Sequence, residues 1–354
     1  MASVGAQVGL ARKESPSRGS RRVAAATALT RELPHTMAAL STGQLSEYRA
    51  SIIARDTACL TPVHRRAVDA RLAPELGRLG NRALAAAVRR VSAELDAPAL
   101  IAKMQRAVAT RRVSVRPAPD GMAWLTLLAP LTEAVGAYAA LDKLAKAALA
   151  GQGVDPAART RSQLMADLAL DRITGRAPGD KVDVELQLVM TPQSLTGASN
   201  EPARLPGHGP LPAPFGRAAI GAAERVWIRR LFTTPDQRDL VAMDSRRRLF
   251  NGKLRQLLLI RDDTCRTPYC DAPITAADHV QPDRLAGPTT LANGAGLCQR
   301  CNNTKETPGW SVTVTHTGLD PGHRAPHTTL ITTPTGHHYQ STAPPLLAWG
   351  WRIP

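Results

Sequence analysis

Two close cysteine pairs, Cys265 with Cys270 and Cys298 with Cys301, bracket a segment poor in large apolar side chains. A stretch of that composition buries too little apolar surface to fold without a staple. Clustered cysteines of a reducing compartment are metal ligands more often than disulfides. Four thiolates in paired spacing suit one tetrahedral zinc ion. The bland alternative is four reduced, buried thiols, and it leaves the intervening segment unsupported. The fifth cysteine, Cys59, lies alone in a helical pattern and is expected to be a small buried hydrophobe.

The remainder of the 354 residues is long enough for two domains. Aromatics are only 3% of the chain, so its core must come from Ala, Leu, Val and Ile. Residues 1–35 are rich in Arg, Ser, Gly and Ala without a sustained period, which predicts a disordered basic N-terminus, with Met37 as a candidate start. Residues 36–195 are expected to form a mainly helical domain. Leu84, Val88, Val91 and Leu95 recur at helical spacing, and further helices are expected over 131–149 and 158–174. Pro117, Pro119, Asp120 and Gly121 separate two strand-like runs, a hairpin over 113–129. Residues 181–191 alternate polar and apolar, the mark of a strand. The Gly- and Pro-rich stretch at 196–235 predicts a linker or irregular loop. A C-terminal domain is expected over 236–315, opening on a helix at 236–260. A short β extension and a loose tail follow over 316–354, with Pro334-Thr335-Gly336 as a hairpin turn. The fold class is therefore α+β, a mainly helical domain followed by a small zinc-stapled one.

The net charge is +16 and the isoelectric point about 10.6. Such a balance favours polyanions, because neutralised phosphates release counterions. A solvated basic surface is the competing account. No run of 18 apolar residues occurs, so no membrane span is expected. The N-terminus lacks the apolar core of a secretory signal, which makes a cytoplasmic location the expectation.

Between the cysteine pairs stand Asp278-His279 in the run DHVQP, a Gly287–Asn293 loop, and then GLCQRCNNTK. Together these elements resemble the HNH endonucleases, a family with the ββα-metal fold. The likeness covers some 50 to 65 residues of the chain. The continuation Lys305-Glu306-Thr307-Pro308-Gly309-Trp310 resembles a bacterial subgroup in which the HNH domain follows a large domain of unknown function. The resemblance implies hydrolysis of DNA phosphodiester bonds. It makes His279 the general base, Asp278 a ligand of the catalytic divalent ion, and Asn293 the residue that holds the loop and orients His279. Asn302 stands where the family usually has its final histidine, as the second metal ligand. An Asp and an Asn offer oxygen alone, which favours Mg²⁺ or Mn²⁺. Zn²⁺ would be purely structural, on Cys265, Cys270, Cys298 and Cys301.

Each of these residues has a plainer role open to it. Asp278-His279 would serve to end a strand, Asn302 to start a helix, and Asn293-Gly294 to make a turn. Arg284 and Lys305 are candidate phosphate contacts or an ordinary solvated face. Arg246 and Arg247, in a basic run ahead of the cysteines, would grip the DNA backbone without reading sequence. His316, His323, His327, His337 and His338 are expected at exposed strand positions rather than around a second metal. The implied partner is double-stranded DNA, and a homodimer would suit a double-strand break. The N-terminal domain would bind a protein or DNA. The rival function is a non-catalytic, zinc-stabilised DNA-binding module of a mobile element or defence system.

Overall fold

Aliphatic side chains at helical spacing build most of what precedes the cysteines. In the computed structural model, which describes residues 2–150, 159–175, 188–222, 252–318 and 325–347, helices fill residues 2–108 almost continuously. These are α1 (Ala2–Ala11), α2 (Pro16–Arg31), α3 (Pro34–Ser41), α4 (Glu47–Asp56), α5 (Pro62–Leu72) and α6 (Asn81–Val108). Ser15, Ser46 and Thr61 cap α2, α4 and α5, each side chain accepting from the N–H three residues on. In α6 the backbone leaves helical geometry at Asp96, just before Pro98. The Ala99 N–H then donates to Asp96 Oδ1 at 3.0 Å, so the helix restarts there.

The core of this region is aliphatic, as the composition requires. Leu33, Ile53, Val68, Leu84 and Val88 are among its fully buried residues, and Cys59 packs against them. Asp69 on α5 is buried and accepts from the His35 and Thr36 N–H groups at the start of α3. Arg65 is buried beside Glu32 and donates to Ala54 O at 3.0 Å.

Residues 2–31, expected to be disordered, are instead two helices with Leu10, Ala28 and Leu29 buried. Their small side chains carry little apolar periodicity but permit a close crossing. A Cβ on Gly19 would lie 2.1 Å from Gly5 O. Met37 lies inside α3.

The chain divides into two compact units, 1–105 with 231–354, and 106–230. The second unit carries the expected hairpin, β1 (Arg112–Pro117) against β2 (Ala123–Leu128), turned by Asp120 and Gly121 at φ 61 and 72. Helices α7 (Leu131–Ala150) and α8 (Arg161–Thr174) follow where periodicity predicts them. The Gly- and Pro-rich linker is not structureless. Just after α9 (Pro192–Thr196), its described part holds a β3 (Ala203–Leu205) and β4 (Gly209–Leu211) ladder and α10 (Ala213–Ala222). Most of the strand expected at 181–191 lies outside the described residues. Within it, Val189 bridges Arg204.

Returning to the first unit, α11 (Gly252–Asp262) leads into the cysteine segment. Strands β5 (Ala276–His279) and β6 (Gly294–Leu297) pair antiparallel, and α12 (Gln299–Lys305) packs on both. A three-stranded antiparallel sheet follows: β7 (Ser311–His316), β8 (Thr328–Thr332) and β9 (His338–Thr342). Two expectations need correction here. Leu346 and Leu347, in the stretch taken for a loose tail, are buried. His327 is buried rather than exposed, because it lies under the Arg261–Asp262–Arg266 cluster described below.

Candidate functional site

The four cysteines converge. Their sulfurs lie within 4.8 Å of one another. Cys270 Sγ is 3.8 Å from Cys298 Sγ and 3.6 Å from Cys301 Sγ. Zinc–sulfur bonds of about 2.3 Å at tetrahedral angles place sulfurs about 3.8 Å apart, so the donor set fits one zinc ion. Cys298 also starts α12, its sulfur accepting from the Cys301 N–H. Thiols this close compete for protons. The hydrogen bond with Cys265 lowers the pKa of Cys298 and raises those of Cys270 and Cys301. Four simultaneous thiolates therefore call for a cation.

A buried ionic cluster braces the same segment, and no sequence pattern announced it. Asp262 accepts from Arg261 Nε at 2.7 Å, from Arg266 Nη1 at 2.9 Å, and from the Gly296 N–H at 2.6 Å. Arg261 also donates to Leu291 O and Gly294 O, and Arg266 to His327 O and Ser341 O. The cluster thus joins the end of α11, the cysteine knuckle, β6 and the flank of the last sheet. Burial raises the carboxyl pKa of Asp262, but the two guanidinium groups more than offset it and hold it below its ordinary value.

The β5–β6 pairing sets Asp278 opposite Ala295 and His279 opposite Gly294. His279 is only 6% exposed. Its Nε2 lies 2.9 Å from Thr289 Oγ1, and its Nδ1 is 3.6 Å from Asp278 Oδ1. Burial works against the charged form of Asp278. The His279 N–H and the Lys305 ammonium outweigh it, and the carboxyl is held below its ordinary value. Lys305 Nζ lies 3.3 Å from Asp278 Oδ2 and also pairs with Glu306.

Asn293 uses its whole amide on the loop from Gln281. Its Oδ1 accepts from the Gln281 N–H at 2.9 Å, while Nδ2 donates to Gln281 O and Pro288 O. That loop carries Thr289 to His279. Asn302, on α12, has a buried Oδ1 with no hydrogen-bond partner. An oxygen so placed is costly unless it has a ligand to meet, and an amide oxygen suits a hard divalent cation. Arg284 is exposed and donates to Glu306 at 2.7 Å. Arg246 and Arg247 lie outside the described residues.

Sequence reasoning missed Thr289, the Arg261–Asp262–Arg266 cluster, and an N-terminal contribution. Ala6, Leu10 and Pro16 line one cavity with His279, Cys301 and Lys305. Trp310 Nε1 donates to Ser3 Oγ at 2.8 Å, Thr335 to Gln7, and Arg300 to Ser20. Nothing local in the first twenty residues signals such docking.

A short antiparallel hairpin packed on one helix, with four cysteines at its base and Asp-His at a strand end, defines a ββα-metal domain. The comparisons agree: residues 265–307 match the HNH endonuclease family. Residues 1–262 match DUF222, a domain of unknown function, and the chain belongs to that family, with an HNH domain after it. No curated protein and no solved structure matches the chain. The HNH match supports a nuclease or nucleic-acid-binding role for this region. Among the described residues, no helix is long and apolar enough to cross a membrane.

Proposed function

We propose that this protein is a metal-dependent endonuclease that hydrolyses phosphodiester bonds in double-stranded DNA. The observation that carries the proposal is the buried, unpartnered Oδ1 of Asn302 on the helix packed against the strand of Asp278 and His279. Asp278 and Asn302 would hold one Mg²⁺ or Mn²⁺, and zinc would sit on the four cysteines as a structural ion. When bound, the divalent ion supplies Lewis-acid stabilisation of the leaving oxygen and of charge at phosphorus.

The chain's own groups do the rest. In the tautomer that this proposal assigns, the Thr289 hydroxyl would accept from the Nε2–H of His279, and Nδ1, 3.6 Å from Asp278 Oδ1, would be the basic nitrogen. That nitrogen takes the proton of the attacking water. Asn293 holds the 281–293 loop and, through it, Thr289. The His279 N–H and then Lys305 favour the charged form of Asp278. Arg284 and Lys305 would meet backbone phosphates once their ion pairs with Glu306 open. The Arg284–Glu306 pair is exposed, and pairs of that kind contribute about 1 kcal/mol or less. Arg246 and Arg247 would add phosphate contacts. Cytoplasmic action and a homodimer for double-strand breaks belong to the same proposal.

The test is plasmid cleavage by the full chain with Mg²⁺, with Mn²⁺, or after chelation, beside metal analysis of the purified protein. Cleavage restored by either divalent ion, with about one zinc retained per chain, is the expected result. DNA binding without cleavage under any metal would favour the non-catalytic module instead.

A further inference from the structure

Residues 1–31 hold six basic side chains and a single acid, Glu14. That acid is taken by Arg22, whose Nε lies 2.6 Å from its Oε2. Arg12, Lys13, Arg18 and Arg21 are exposed. Arg12 reaches Glu14 only at 3.8 Å, with half its side chain in solvent. These cations sit on the tight α1–α2 hairpin, whose crossing at Gly5 and Gly19 leaves no room for side chains between the helices.

The position of the hairpin gives this charge its meaning. Leu10 and Pro16 line the same cavity as His279 and Lys305. The turn that joins them carries Arg12 and Lys13, and a chain can place those residues only a few ångströms from that cavity's edge. Lys13 has a positive φ of 55, a conformation that the sharp reversal requires. Three side-chain contacts, from Trp310 to Ser3, Arg300 to Ser20 and Thr335 to Gln7, tie the hairpin to the HNH region and to the sheet that follows it. The hairpin is thus packed on α12, the helix that carries Asn302 and Lys305, rather than being a loose tail.

We infer that the α1–α2 hairpin is a DNA-backbone clamp of the nuclease site, with Arg12, Lys13, Arg18 and Arg21 neutralising phosphates of the duplex that enters it. Arginine and lysine at a helix turn contact phosphate without reading bases, so the clamp adds affinity and not sequence preference. This inference rests on the nucleic-acid role proposed above. It assigns to the start of the DUF222 region a share in holding the substrate.

The experiment uses the full chain carrying His279→Ala, so that cleavage does not interfere, and a short random-sequence duplex. Affinity is measured against salt for this protein and for a derivative with R12Q, K13Q, R18Q and R21Q. A second derivative, with R78Q, R82Q, R89Q and R90Q, makes the same change in net charge at other exposed arginines. Each lost phosphate contact lowers the slope of log affinity on log salt by about 0.9. The hairpin derivative is expected to lose about three units of slope, and the second derivative less than one. Zinc content and thermal unfolding establish that both are folded. Equal slopes for the hairpin derivative and its parent, or equal losses for the two derivatives, would overturn the clamp while leaving the nuclease proposal intact. Absence of any duplex binding by the parent would instead count against the nuclease proposal.

Discussion

The helical region at 28–91 and the cysteine segment at 265–301 solve the same problem with different materials. The first buries a continuous set of aliphatic side chains, Leu33, Ile53, Val68, Leu84 and Val88 among them. The second has a far thinner core, Val280, Ala295 and Leu297 with the cysteines themselves. It makes up the difference with a thiolate cluster fit for zinc and a buried Arg–Asp–Arg cluster. Where apolar area suffices, order follows from spacing and burial. Where it does not, order depends on a few charged and sulfur groups whose loss is not shared among many contacts.

The contrast is most exposed by removing a zinc ligand. Cys301→Ser should abolish zinc retention and unfold residues 265–316, because structural zinc contributes on the order of 10 kcal/mol. Hydrogen exchange should then show α4, α5 and the first half of α6 still protected. Collapse of protection throughout both regions would mean that they do not differ as described.

Next in size is Asp262→Asn. It leaves Arg261 and Arg266 buried with their charge uncompensated, at a cost of about 3–5 kcal/mol. Urea unfolding of the C-terminal region should shift by that amount. A shift under about 1 kcal/mol would show that the cluster is not a brace.

The most gradual effect concerns pH. His327 donates Nε2–H to Ala292 O at 2.8 Å, while its Nδ1 has no partner. Burial first, and then Arg261 and Arg266, push its pKa down from 6.5 to about 3. The unfolded chain therefore takes up a proton below pH 6.5 that the folded chain refuses until about pH 3. Stability should fall as pH drops through that window, by up to about 1.4 kcal/mol per pH unit. The variant His327→Gln should lack this slope, and a slope equal to that of the parent would sink the assignment.

The same contrast explains what could be read from the residues alone. Leu84, Val88 and Val91 mark their helix because burial there repeats every turn. Asp120-Gly121 marks its hairpin because that turn demands positive φ. The paired cysteines announce their cluster because a metal needs donors at short spacing. By contrast, α1 and α2 gave no period, since their contact is a glycine crossing rather than an apolar stripe. Arg261 and Arg266 reach carbonyls as distant in the chain as Leu291, Gly294, His327 and Ser341, and His327 is buried beside them. Such relations carry no local pattern.

One measurement bears most directly on the proposed chemistry: the rate of plasmid cleavage by His279→Ala in Mg²⁺ or Mn²⁺, with zinc content and duplex affinity determined on the same sample. A loss of at least about a hundredfold, the usual scale for a general base, with both other properties unchanged, is the result expected. Cleavage at the parent's rate would contradict the account.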